Sequence, residues 1–234
     1  MGHTIRATDF EYRHQTLLHL LVVGLAFLAY AFQRDDIVWV LVKHHTIYRT
    51  LLERIVFGIG ALEVLCSAAL QTWAQAYRFS AADVQVASPA GDETYRRLED
   101  LIYVGRLLFA SGIGLLAPIS GTVILLVGEV SLVARLFVRN SNPTNLQALH
   151  RDWIFPWFHR LLPAQSLSAN WKYALRREAS KWGLAITMIA FTLTLRDRLA
   201  EILAGASFLI WLVLNLSDLR PRAPDQDAEL HRSS

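Results

Sequence analysis

From Leu101 to Val138 the chain runs thirty-eight residues with three charges, Arg106, Glu129 and Arg135. About 20 apolar helical residues, each rising about 1.5 Å, cross the hydrocarbon core of a bilayer, so this block is about two spans long. Its middle reads Gly112-Ile113-Gly114-Leu115-Leu116-Ala117-Pro118-Ile119-Ser120-Gly121. Glycine and proline at that density interrupt a helix and build a tight turn. The block predicts two membrane helices folded back on each other at 101–138, with almost no polar loop and with the charges toward the open end.

The rest of the chain fits that frame. Charged residues are 18% of the sequence and hydrophobic ones 53%, against about 25% charged in a soluble domain. Further apolar blocks run over Leu17–Phe32, Leu51–Tyr77, Trp182–Leu195 and Leu199–Leu216. The expected fold is an all-α, polytopic membrane bundle of five or six spans. It forms a single domain over residues 1–220, followed by a disordered polar tail at 221–234. The count is open because Trp182–Leu195 is short for a span. Leu17–Phe32 is followed by Gln33-Arg34-Asp35-Asp36, without a small-residue cleavage site, and is expected to be retained as the first span. Trp39, Trp73, Trp182 and Trp211 suit interfacial positions. The single cysteine, Cys66, permits no intrachain disulfide and is expected to serve packing.

Orientation follows from the Lys/Arg distribution. With six spans, Arg6 and Arg13, then Arg78, Arg96 and Arg97, the seven basic residues from Arg139 to Lys181, and the tail arginines all fall on one side. That side is expected to be cytoplasmic, with both termini on it and with cytosolic-face segments at 78–100 and 139–181. A bacterial inner membrane fits this pattern. Phe79–Glu93 reads as a soluble linker. Ser168-Ala169-Asn170 reads as a helix cap before an interfacial helix with Trp171, Leu175 and Ala179 on its apolar face. The net charge of +3 and the scatter of basic residues around apolar blocks exclude a bulk nucleic-acid surface. The expected partners are the lipid bilayer and a lipid-like small molecule; nothing in the pattern specifies an oligomeric state.

Ionisable groups inside a span are costly and face protein or water. Glu53, Glu63, Arg106, Glu129 and Arg135 are the cases here. Glu63 either faces a polar cavity, where it meets a cation or Arg106, or makes a structural interhelical pair. Arg106 alternatively snorkels to the headgroups. Glu129 reads as a cavity carboxylate and is not paired with Arg135, six residues on. His14 and His19 are five apart and His44 and His45 adjacent, neither a chelating spacing on a helix, so no metal site is expected.

The hairpin is preceded by Tyr95-Arg96-Arg97-Leu98-Glu99-Asp100-Leu101-Ile102-Tyr103-Val104-Gly105 and followed by an aromatic stretch ending Trp157-Phe158-His159-Arg160-Leu161-Leu162-Pro163. Over about residues 90–165 this resembles the isoprenylcysteine carboxyl methyltransferase and phospholipid methyltransferase superfamily of integral membrane enzymes. Tyr95, Arg96, Tyr103 and Gly105 fall on that family's Tyr, Arg, Tyr and Gly, and Arg160–Pro163 on its closing motif. The family's Arg-His-Pro is replaced by Glu99-Asp100-Leu101, and its Glu-Glu pair after the hairpin is absent. The resemblance implies S-adenosylmethionine as cofactor, methyl transfer to a lipid-soluble acceptor at the cytosolic face, and a cofactor mouth at Tyr95, Arg96, Glu99, Asp100, Tyr103 and Gly105. No catalytic residue is assigned. Two other readings stand beside it. One is an inactive relative that binds lipid or a membrane partner, which the altered motif favours. The other is a small transporter or transporter subunit, which the carboxylates within spans favour.

Overall fold

The computed structural model describes residues 7–33, 35, 40, 49–85, 89–140, 169–194 and 198–217. Among the described residues every regular element is helical: α1 (Asp9–Arg13), α2 (Gln15–Leu28, prolonged by a 3-10 turn over Ala29–Ala31), α3 (Arg49–Gln85), α4 (Pro89–Gly114), α5 (Ile119–Asn140), α6 (Trp171–Thr194) and α7 (Arg198–Ser217). The helix starts have local causes. Thr8 caps α1 by accepting from the Glu11 amide at 3.2 Å, and the Glu11 carboxylate accepts the Thr8 amide at 2.7 Å, a reciprocal capping box. Proline opens α4, where its fixed φ suits a first helical turn and its missing N–H costs nothing. Asn170 Oδ1 accepts the Tyr173 amide at 3.2 Å and so caps α6, as the Ser-Ala-Asn sequence predicts.

The hairpin at 101–138 is formed by α4 and α5 around a turn at Leu115–Pro118. The amides of Leu116 and Ala117 bond back to the carbonyls of Ile113 and Gly114. The Thr122 hydroxyl donates to Gly114 O at 2.6 Å, closing the loop from the far side. The end of α2 is tied to the same place: the Tyr30 hydroxyl donates to Leu116 O, and the Gln33 side chain accepts from the Ser120 amide.

The six long helices close into a ring in the order α2–α5–α4–α3–α6–α7, each packing mainly on two neighbours. Within the ring lies one apolar cluster that includes Val23, Val64, Phe109, Ile113, Leu125, Met188 and Trp211. Gly60 and Gly112 let α3 and α4 cross closely: a Cβ at either would stand within 2.7 Å of the other's carbonyl oxygen. One end of the ring carries the hairpin turn, the end of α2 and the Gly58–Thr192 contact between α3 and α6. The other, open end carries α1, Arg78, Glu99, Arg135 and Arg139.

Large aliphatic side chains lie on both sides of the helices. Leu21, Leu25, Val123, Val127, Val130, Ile202, Ile210 and Val213 point outward, while the apolar core also encloses the polar side chains of Ser67, Gln71, Thr72, Gln75, Glu129 and Glu178. An exterior this rich in aliphatic side chains suits an apolar surrounding. Two helices, Thr50–Arg78 with 29 residues and Ile119–Arg139 with 21, are long and apolar enough to cross a membrane, and Gln15–Ala31 and Ile202–Leu216 are shorter apolar helices.

Several expectations change. The linker expected at Phe79–Glu93 is largely helical, because α3 runs on to Gln85 and α4 begins at Pro89; the Ala-rich run after Phe79 sustains a helix. In the first turns of α6 Ala174 and Glu178 are buried, while Trp171, Leu175 and Ala179 share an exposed apolar face; the buried carboxylate, which the sequence did not mark, lies against α3. Trp211 is fully buried in the core rather than interfacial. Cys66 is exposed, since the neighbouring Ser67 faces α4. The aromatic stretch before Pro163, the Arg160–Pro163 motif and the tail at 221–234 lie outside the described residues.

Candidate functional site

Glu129 lies ten residues from either end of the apolar helix Ile119–Arg139. It shares the inward stripe of α5 with Leu125, Leu132 and Leu136, spaced three and four apart as one helix face requires. Its side chain is 0% exposed, and Oε1 stands 2.5 Å from Nδ1 of His19. His19 is held on the buried face of α2 with Val23 and Ala26. Phe109 and Trp211 flank the imidazole, with ring centroids 6.0 and 5.9 Å away. A carboxylate oxygen and a ring nitrogen approach this closely only with a proton between them. Among the described residues neither Glu129 Oε2 nor Trp211 Nε1, both buried, has a hydrogen-bond partner.

Arg106 joins this pair to a second polar group. It donates to Gln15 Oε1 at 2.9 Å, lies 5.9 Å from the centroid of the Tyr103 ring, and interacts electrostatically with both Glu129 and Glu178. The second group fills the contact of α3 with α4 and α6. Lys181 Nζ donates to Glu178 Oε2 at 2.6 Å and to Gln71 Oε1 at 2.5 Å. Gln71 donates to Ser67 at 2.9 Å, and Ser67 donates to Gly105 O at 2.6 Å. Trp182 donates to Thr72 at 2.9 Å. Ser67, Gln71, Gln75 and Arg78 recur every three or four residues, which puts a polar stripe on one face of an otherwise apolar α3. Ser67, Gln71, Glu178 and Lys181 are tolerated there because they satisfy each other, while Gln75 Oε1 has no partner among the described residues.

At the open end α1 is clamped to the end of α5. Arg139 pairs with Asp9 at 2.6 Å and lies over the Tyr12 ring, and Arg135 pairs with Glu11 at 2.7 Å. The Arg139 guanidinium beside Asp9 holds that carboxyl below its usual range. The Thr8 amide does the same to Glu11, helped by the Thr8 hydroxyl and Arg135.

The residues expected at a cofactor mouth are divided between two helix contacts. Glu99 is buried against α3, where Arg78 donates to it at 3.1 Å. Gly105 faces α3 as well, and a Cβ there would stand 2.5 Å from Gln71 Cγ. Tyr103 turns toward α5 and the N-terminal segment and packs with Ala7, Leu132, Val133 and Leu136. Asp100 is half-buried beside them. Tyr95 and Arg96 have their backbone in α4, while their side chains lie outside the described residues. Arg106 bonds to Gln15 instead of Glu63, and Glu63 lies against Gly112 with one buried oxygen lacking a partner among the described residues. Among the described residues no cluster of three His, Cys, Asp or Glu side chains has metal-holding geometry.

Sequence reasoning singled out Glu129 and Arg106 but missed His19 as a partner and missed the Glu178–Lys181 pair. A readable signal existed for the second: Glu178 and Lys181 are three apart on a helix, a spacing that brings side chains together. For the first there was none, because 110 residues separate His19 from Glu129. No known protein family, curated protein or solved structure matches the chain.

Proposed function

We propose that the chain is a six-span integral membrane protein that works as a small proton-coupled transporter or transporter subunit, with His19–Glu129 as its proton-binding pair. The six long helices are the spans, and the open end of the ring, with Arg13, Arg78, Arg139, Lys172, Arg176 and Arg177, is the cytoplasmic side. The observation that carries the reading is a fully buried carboxylate in a short hydrogen bond to histidine, at the middle of an apolar helix of span length, with its second oxygen unpartnered among the described residues. Carboxylate–histidine pairs at membrane depth mark proton relays more often than packing, because apolar side chains pack there at lower cost. Outward-facing aliphatic residues around the bundle support the same placement.

The test uses proteoliposomes with an entrapped pH dye, challenged with pools of organic acids, amino acids and sugars. Internal acidification above protein-free vesicles is expected for one class and is expected to disappear in Glu129→Gln. Equal responses from wild type and Glu129→Gln would make the pair an interhelical tie and end the transporter reading.

A second reading, a methyltransferase-like protein using S-adenosylmethionine on a lipid-soluble acceptor, is favoured by the tight α4–α5 hairpin with charged residues at its open end. Its site would lie near Tyr95, Arg96, Glu99, Asp100, Tyr103 and Gly105. Calorimetric titration of the cofactor into the protein, with Arg96→Ala and Tyr103→Ala, tests it. Saturable binding lost in either variant is the expected result under this reading, and absence of binding at millimolar cofactor would remove it.

A further inference from the structure

Arg106 is a guanidinium inside the helix ring whose donors hold no anion. It has five N–H donors, and among the described residues its hydrogen bond goes to a neutral amide oxygen, Gln15 Oε1. The neighbouring carboxylates are engaged elsewhere: Glu129 by His19, Glu178 by Lys181 and Glu99 by Arg78. The Arg106 side chain is only half-buried, so its remaining donors are reachable. A planar guanidinium fits carboxylate and phosphate oxygens two at a time.

Charge bookkeeping points the same way. Around Arg106 stand Glu129 on α5 and His19 on α2, Glu178 and Lys181 on α6, Tyr103 on α4, and Arg78 with Glu99 between α3 and α4. Asp100 stands beside Tyr103 as well, so with His19 neutral four carboxylates face Arg78, Lys181 and Arg106. One proton added to the His19–Glu129 pair cancels the excess negative charge and lowers the repulsion that a bound monoanion meets at Arg106. Proton and anion then favour each other's binding, by reciprocal linkage.

We infer that Arg106, with Gln15 and Tyr103 beside it, is an oxyanion-binding site filled together with the proton on His19–Glu129. The anion is a small soluble carboxylate or phosphate, or the phosphate of a lipid headgroup. The coupling to a proton rests on the transporter reading above; the anion site itself does not.

The experiment uses the full chain in lipid nanodiscs. In one arm lactate and inorganic phosphate are titrated by calorimetry into protein in phosphatidylcholine. In the other, phosphatidylglycerol retained from mixed discs is measured by native mass spectrometry. Arg106→Gln removes the charge. Gln15→Glu sets a carboxylate against the guanidinium, keeping the fold while occupying the site from within. Lys172→Gln, at an exposed position on α6, is the control. Saturable binding in either arm is expected, weakened about tenfold or more in both Arg106→Gln and Gln15→Glu, as for loss of a charge-assisted bond, and unchanged in Lys172→Gln. The arm that responds names the source of the oxyanion. Binding that is equal in wild type and both site variants, or absent from both arms, would overturn the inference. If that occurs while Glu129-dependent proton uptake persists, the transporter reading stands without it; if anion binding depends on Arg106 but proton uptake ignores Glu129→Gln, the reverse holds.

Discussion

Glu129→Leu strands His19, and the size of the penalty separates a buried polar pair of functional kind from an ordinary interhelical hydrogen bond. The carboxylate is 0% exposed and its bond to Nδ1 is 2.5 Å long, so no water replaces the lost partner. Interhelical hydrogen bonds in membranes contribute only about 0.6 kcal/mol on average. Breaking a buried pair that carries charge costs roughly 3–5 kcal/mol, because the remaining group is left unpaired. The double variant His19→Leu/Glu129→Leu removes both polar groups into the apolar setting of Phe109 and Trp211, and is expected to cost clearly less than the two single changes together. A double-mutant cycle isolates this coupling. Reversible unfolding of wild type, both single variants and the double variant in mixed micelles is the assay. We expect each single change to cost about 3 kcal/mol or more, with a coupling of about 1.5–3 kcal/mol. A coupling near zero, or a double variant as unstable as the sum of the singles, would refute the claim that the two side chains act as a pair.

Gly112→Leu drives a side chain into Gly60 O and Val64, both within 2.8 Å of the new Cβ, and is expected to destabilise by about 1–3 kcal/mol through overpacking; an unchanged thermal midpoint would show that α3 and α4 do not cross there. The α1 clamp is expected to loosen in acid. The carboxyls of Asp9 and Glu11 titrate below their ordinary values, so their stabilisation is complete above about pH 4.5. It is lost as pH falls through the lowered folded values. Amide exchange of residues 9–13 relative to α5 measures this, and a ratio that does not rise with acidification would count against the clamp. Cys66 faces outward from α3, so a charged thiol reagent is expected to leave it unmodified in lipid vesicles while an apolar one labels it. Equal labelling by both would contradict α3 as a span.

The helical skeleton was readable because apolar blocks of span length leave few alternatives. The turn between α4 and α5 was readable from Gly114 and Pro118, and the cap at Asn170 from its residue type. Which side of each helix faces inward was harder to read. In water the apolar stripe marks the core, but here large aliphatic side chains lie outside as well as inside. That two-sided pattern misplaced Trp211 and Cys66 and hid Glu178, whose carboxylate is sealed by Lys181 from its own helix and Gln71 from α3. Glu129 and Arg106 were visible because a charge in an apolar run needs an account. Their partners were not, because His19 and Gln15 lie near the start of the chain and only the closed ring brings them near.

That separation along the chain bears on biogenesis. His19 emerges from the ribosome long before Glu129, so the imidazole is already in place when the hairpin arrives. The turn at Leu115–Pro118 is too short to leave one arm waiting in water while the other crosses. In the six-span reading the two arms pass into the bilayer as a unit, and the carboxylate they carry finds its hydrogen-bond partner on docking against α2. On that reading, settling the second half of the ring in the membrane depends on a residue made much earlier.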